Sequence, residues 1–233
     1  KIMSKNDYWK LSAYESAKLI RNGSISAEDL VSSCVERTKA TNKKINAIVD
    51  DLSVPALEKA RELDKLTKKG DFKGPLHGVP ITIKENIDQK GYATPNGLEA
   101  LKDLIAPGNA PVVDNLERDG AIVIGRTNTP EFSMRGTTDN VIHGRTFNPW
   151  NDWASPGGSS GGASAAVMSG MGSLAHGNDI AGSLRIPSTA TGACTVKPGL
   201  GRVPAYNPSQ TQERGLIAQL MSVQGVIARE IKD

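Results

Sequence analysis

Cysteine is scarce in this chain of 233 residues: only Cys34 and Cys194 occur, far apart and outside any C-x-x-C pair. That excludes a disulfide framework or a zinc knuckle and leaves two reduced thiols that behave as small hydrophobes. Charge of one sign is scarce too. The 28 basic and 25 acidic residues leave a formal charge of +3, scattered along the chain, which argues against nucleic acid or an anionic membrane as partner. Long apolar runs are missing; Ala121–Ile124 is typical, far short of a membrane span, and no basic start leads into an apolar signal core. The chain therefore reads as soluble, with a cytoplasmic location expected. It has no internal repeat and no long linker, and its length suits one large domain or one with an appendage. It opens at Lys1 rather than methionine, and a piece of a longer protein is the expectation.

What is present begins with helices. Ser12 and Glu15 form a capping box for one helix, Gly23 supplies its stop, and Ser26 with Asp29 starts a second whose Leu30, Val31, Cys34, Val35 and Thr38 make a packing stripe. Ile45–Val49 reads as extended, and Ala56–Lys69 as a third helix. The character changes at Gly70. Leu76–Ile87 reads as an alternating strand with Ile81 and Ile83 on one face and Thr82 and Lys84 on the other. Pro111, Gly120 and the run Ala121–Gly125 then predict a helix followed by a strand. Asn128–Phe132 and Asn148–Trp153 read as loops and Gly161–Gly172 as a buried helix. Residues 215–231 fit helix or strand equally.

The densest chemistry lies between Ser155 and Pro198, where two glycine-rich, serine-bearing turns flank a short apolar segment. A phosphate cradle fails because no lysine follows the first run. Gly157-Gly-Ser159-Ser-Gly161 fits the G-x-S-x-G elbow, with Ser159 as nucleophile, but a Gly/Ser tract fits that pattern easily. An elbow also needs a later histidine. His77, His143 and His176 all lie too early, so residues beyond this chain would have to supply one. The second turn, Asp179-Ile-Ala-Gly-Ser183-Leu-Arg185, offers consecutive backbone N–H groups that end on a serine.

Together the two turns resemble the amidase signature family of serine hydrolases. The family's G-G-S-S-G-G-[SG] is Gly157–Ala163, its D-x-G-G-S-[IL]-R is Asp179–Arg185, and its later proline and K-P are Pro187 and Lys197-Pro198. Its G-V-P-x-x-[IV]-K-[DE] is Gly78–Glu85, and Gly125–Phe132 resembles its G-K-T-N-x-x-E-F. The resemblance runs over nearly the whole chain. It implies an α/β fold, a mixed central β-sheet covered by helices on both sides, with residues 1–70 as a helical appendage and 71–233 as a core whose later half is missing.

It also implies a Ser-cis-Ser-Lys triad made of Ser183 as nucleophile, Ser159 as proton relay after a cis peptide, and Lys84 as base. A serine hydroxyl needs a base to take its proton, and a lysine desolvated in a closed pocket can be neutral enough to do so. The amides of Ile180, Ala181, Gly182 and Ser183 would form the oxyanion hole. Ala181 stands where the family usually has glycine, which strains the turn only if that residue sits at positive φ. Asp179 and Arg185 are expected to brace the two turns, Ser160 and Ser164 to cap or bond the following helix, and Asn128 and Glu131 to fix a nearby loop; His176 reads as packed. The implied reaction is hydrolysis of a carboxamide to carboxylate and amine, with no metal or cofactor. Besides a small-molecule amide, the expected partner is a second chain completing the fold or a second copy in a homodimer. Two other readings stay open: the glutamine-amidase component of a tRNA-dependent amidotransferase, a branch that usually has glutamine where Ile186 stands, and an inactive scaffold.

Overall fold

Local signals set the first elements of the computed structural model, which describes residues 3–233. Helix α1 (Ala13–Arg21) opens on the full Ser12/Glu15 capping box, and α2 (Ala27–Ile45) opens on Ser26, whose side chain accepts from the Asp29 amide. These bonds satisfy amides that a helix start otherwise leaves unpaired. Helix α2 runs through Ile45 and stops at Asn46, which adopts a left-handed conformation at φ 54°. The extended segment expected from Ile45 therefore starts later, as strand β1 (Ile48–Asp51). Helix α3 (Ser53–Thr67) begins before Ala56 because Pro55 is tolerated in a first turn.

Beyond Gly70 the chain forms strand β2 (Pro80–Lys84), helix α4 (Pro111–Arg118) and strand β3 (Ile122–Thr127). The α4 crossover makes β2 and β3 parallel neighbours, the geometry such a connection favours. Helix α5 (Gly161–Met168), strand β4 (Leu174–Asp179), helix α6 (Arg185–Thr191), strand β5 (Cys194–Thr195), helix α7 (Leu216–Met221) and strand β6 (Val223–Ala228) complete the order. The stretch 215–231 that fits helix or strand holds one of each. All six strands form one mixed sheet in the order β1-β3-β2-β4-β6-β5.

Both faces of the sheet are covered. On β3, Val123 packs with Ile81, Ile83 and the α4 residues Val112 and Val113. Ile122 and Ile124 point the other way and pack against Leu30, Val31 and Cys34 of α2 and Ala60 of α3. Burial there pushes the Cys34 thiol up to about 11. Helix α5 lies over β4 and β6, with Ala163 and Val167 against Ala175 and Ile227. All five residues of β2 are thereby buried, so its alternation separates two packed faces rather than core from solvent.

Two features cross the compositional break at residue 70. Strand β1 lies before it and pairs antiparallel with β3 beyond it. The Arg229 guanidinium donates to the carbonyls of Val167, Gly172, Trp9 and Leu11, sewing the N-terminal segment to α5 and β6. Among the described residues, no helix is long and apolar enough to cross a membrane.

Candidate active site

Parallel strands deliver the first component. Lys84 ends β2, next to β4, so its side chain leaves from the carboxyl edge of the strands, where open α/β sheets place their ligands. It is wholly buried. Its Nζ lies 2.7 Å from Ser159 Oγ, 3.1 Å from Ser160 Oγ and 2.9 Å from Asn178 Oδ1. Burial lowers its pKa from 10.5 to about 7, against the opposing pull of Glu85 and Asp179. Between about pH 7 and 10.5 the unfolded chain therefore holds a proton that the folded chain has released, so stability rises with pH across that window. A Lys84→Met variant should lose that rise in urea titrations run from pH 7 to 10.

The two serine turns meet where the sequence places them together. The Gly158–Ser159 peptide is cis. A Cβ on Gly158 would stand 2.5 Å from the Arg135 carbonyl oxygen, so only glycine allows the chain to pass there. Ser160 sits at the start of α5 but its side chain caps nothing. It accepts from Lys84 and donates to the Asn178 carbonyl at 3.3 Å, which places it in the site rather than in the helix. Ser164 bonds the Pro156 carbonyl and, within α5, the Gly161 carbonyl, in line with the expected bond to the helix. The Ser160 amide donates to the Ser183 carbonyl at 3.2 Å, and this bond joins the turns.

Asp179 organises the second turn from within. It accepts from the amides of Gly182 at 2.8 Å and Leu184 at 3.1 Å, and from Arg185 Nε and Nη2, both at 3.1 Å. Burial alone would raise the Asp179 carboxyl, but the Arg185 guanidinium and the Leu184 and Gly182 amides outweigh it and hold the group at about 2. Lys197 of the K-P motif joins the turn, donating to the Ile180 carbonyl at 2.7 Å. Asp179 and Arg185 thus brace one turn, not the pair of turns as expected. A second correction concerns the oxyanion donors. The Gly182 N–H is committed to Asp179, whereas the amides of Ile180, Ala181 and Ser183 make no backbone hydrogen bond among the described residues. Ala181 is not at positive φ, and the left-handed position is Gly182 at φ 125°, so the alanine costs the turn nothing.

Ser159 and Ser183 line one cavity of about 460 Å³ with Ile87, Phe132, Met134, Ile180, Ile186, Tyr206, Arg135 and Arg214. No hydrogen bond joins the two hydroxyls; Ser159 Oγ is paired instead with Lys84 Nζ. Asn128 stays outside the cavity, where its buried side chain bonds the Gly144 carbonyl, Thr146 and Asn140. Glu131 pairs with Arg135. His176 is buried beside the site and pushed down to about 4 by desolvation. It is neutral there, accepting from the Lys84 amide at Nδ1 and donating from Nε2 to Gln224 Oε1 at 2.8 Å.

Three site residues have no counterpart in the motif reading: Asn86, Asn178 and Gln224. Asn178 accepts from Lys84 Nζ and donates to Asn86 Oδ1 at 2.8 Å, and β4–β6 pairing sets it opposite Gln224. Asn86, two residues after Lys84, and Asn178, one before Asp179, have position as their only sequence signal, and Gln224 has none.

The amidase family model matches residues 29–233. The chain belongs to the amidase signature family. Within that family it is 54% identical to an indoleacetamide hydrolase of Bradyrhizobium diazoefficiens over 98% of this chain and 44% of the relative. It is 36% identical to a glutamyl-tRNA(Gln) amidotransferase chain of Natranaerobius thermophilus over 96% of this chain and 44% of the relative. Among solved structures, a fatty acid amide hydrolase superposes with a TM-score of 0.90 at 30% identity, covering 98% of this chain and 40% of that one. The chain thus spans less than half the length of these relatives, and the segment it shares with them contains Lys84, Ser159 and Ser183.

Proposed function

We propose that this chain carries the catalytic centre of an amidase that cleaves a carboxamide C–N bond through an acyl-enzyme on Ser183, with Ser159 as relay and Lys84 as base. The observation that carries this reading is the environment of Lys84 Nζ. A neutral amine has two N–H donors and one lone pair, and it meets three partners. Asn178 Oδ1 can only accept, and Ser160 already spends its hydrogen on the Asn178 carbonyl. Ser159 is the partner with a hydrogen to give, so the lone pair faces it.

The chemistry follows in two halves. Lys84 takes the Ser159 proton, Ser159 takes the Ser183 proton, and Ser183 Oγ adds to the amide carbon. The oxyanion formed meets the amides of Ile180, Ala181 and Ser183, each such donor being worth about 3 kcal/mol in the transition state. The relay then runs backward, the leaving nitrogen gains the proton and departs as amine, and Ser183 holds an ester. Water attacks the ester by the same route, releasing carboxylate and restoring Ser183. No step consumes anything but amide and water.

The cavity lining is mixed: Ile87, Phe132, Ile180, Ile186 and Tyr206 offer apolar surface for an acyl group, beside the polar Asn207, Gln210 and Arg214. The indoleacetamide hydrolase at 54% identity points the same way, toward a primary amide of an arylacetic acid. Helix α7 exposes Leu216, Ile217, Leu220 and Met221, and we take this face to be covered by the part of the fold that the longer relatives contain. A second reading, the glutamine amidase of a tRNA-dependent amidotransferase, is favoured by the Natranaerobius relative and opposed by apolar Ile186 in the cavity.

Ammonia release from a panel of arylacetamides, alkyl amides and glutamine separates the readings. Arylacetamides should be turned over without a partner, and turnover of glutamine alone, dependent on added partners, would reverse the assignment. Because the base must be neutral, kcat/KM should rise with pH along a limb centred at about 7 and fall about 100-fold by two pH units below it.

A further inference from the structure

Lys84 has two carboxylates in its neighbourhood and bonds neither. Glu85 follows it in the strand, but its Oε2 is turned to His143 Nε2 at 3.0 Å. Asp179 ends the neighbouring strand, but its oxygens go to Arg185, to Lys197 at 3.5 Å and to backbone amides. His176 packs behind the lysine and is neutral. What touches Nζ is neutral throughout: two hydroxyls and the Asn178 carbonyl.

The Asn178 amide is itself held by a closed set of bonds that fixes which end faces the lysine. Its Nδ2 donates to Asn86 Oδ1 at 2.8 Å and lies 3.4 Å from Gln224 Oε1. Gln224 Oε1 also accepts from His176. Asn86 Nδ2 donates to Ser133 Oγ at 2.9 Å. With its nitrogen occupied by acceptors, Asn178 can present only oxygen to Lys84.

We propose that Asn178, oriented by Asn86 and Gln224, is a positioning residue that seats the Lys84 amine against Ser159 through a neutral acceptor and so supplies no countercharge. The inference rests on Lys84 being the base of the proposed amidase. Aspartate at the same position would set a carboxylate beside Nζ and favour the ammonium, raising the lysine's titration by about 1 to 3 pH units. Threonine would keep a neutral acceptor.

The test is a pH titration of 13Cε-lysine-labelled protein by NMR, with the Lys84 resonance identified by its loss in Lys84→Met, alongside kcat/KM profiles. In the parent and in Asn178→Thr both readouts should centre near pH 7, and in Asn178→Asp both should move upward by at least one unit. A Lys84 resonance that titrates alike in the parent and in Asn178→Asp overturns the inference while leaving the amidase reading intact. A resonance titrating near the ordinary lysine value in the parent removes the base itself, and both fail together. The NMR readout needs no activity, so a merely structural role, which would disturb Asn178→Thr and Asn178→Asp alike, is told apart.

Discussion

Replacing Ser183 with alanine is expected to lower amide hydrolysis by at least about 10,000-fold while leaving the fold unchanged. The size follows from what is removed: without Oγ there is no atom to form the ester, and loss of the nucleophile in a serine hydrolase has been worth about a million-fold in kcat. Ser183 is only part-buried and lines an open cavity, so truncating it leaves no hole in the core. Urea midpoints should therefore match the parent. Ser159→Ala should cost activity on a similar scale, because the relay and nucleophile work as one unit, and the double variant should be scarcely worse than either single one. Ser160→Ala should be milder, since that hydroxyl takes a hydrogen bond from Lys84 without lying on the proton path. The measurement is single-turnover hydrolysis of an arylacetamide, paired with equilibrium unfolding.

Asp179→Ala is the second large effect, and it should reach stability as well as rate. The carboxylate is buried and anchors the amides of Gly182 and Leu184 together with the Arg185 guanidinium. Removing it strands the two amides, at about 1 to 3 kcal/mol for each that stays buried, while the exposed Arg185 guanidinium returns to solvent. The turn that aims Ser183 would relax, and a displacement of about 1 Å at a reacting atom costs about 100-fold in rate. The pH dependence has a definite sign. A carboxyl lowered in the folded state from 3.8 to about 2 adds about 2 kcal/mol that is present above pH 4 and lost as pH falls toward 2. Asp179→Ala should lack this acid-side loss.

Local chemistry explains what was legible in advance. Ser12, Glu15, Ser26 and Asp29 act on amides within a single turn, so the starts of α1 and α2 could be read directly. Lys84, Ser159 and Ser183 were singled out through the resemblance of the motifs around them to those of the amidase signature family, and the fold brings them together, Lys84 Nζ beside Ser159 Oγ and Ser183 lining the same cavity. Long-range contacts explain what was not. The alternation of β2 separates Thr82 and Lys84 from Ile81 and Ile83, but only the packed sheet shows that both faces are buried. Residues 216–228 carry one apolar composition, yet the chain turns at Ser222 from α7 into β6. Helix α6 begins directly after the second turn and contains Pro187 in its first turn, so it lacked an ordinary start signal. Lone amides have no motif: Asn178 and Gln224 become partners only through the pairing of β4 with β6. The Gly182 amide was assigned to the oxyanion hole because nothing in the sequence shows that Asp179 reaches back to take it.

In the proposed reaction Lys84 acts through Ser159 on the hydroxyl of Ser183. A fluorophosphonate probe followed by peptide mass spectrometry tests it most directly, because the probe bonds whichever serine is nucleophilic. Labelling is predicted on Ser183 alone, rising with pH through about 7 and absent in Lys84→Ala. Labelling of Ser159 would contradict the account and restore the elbow reading, and a chain that takes no label at any pH would contradict it in favour of a binding scaffold.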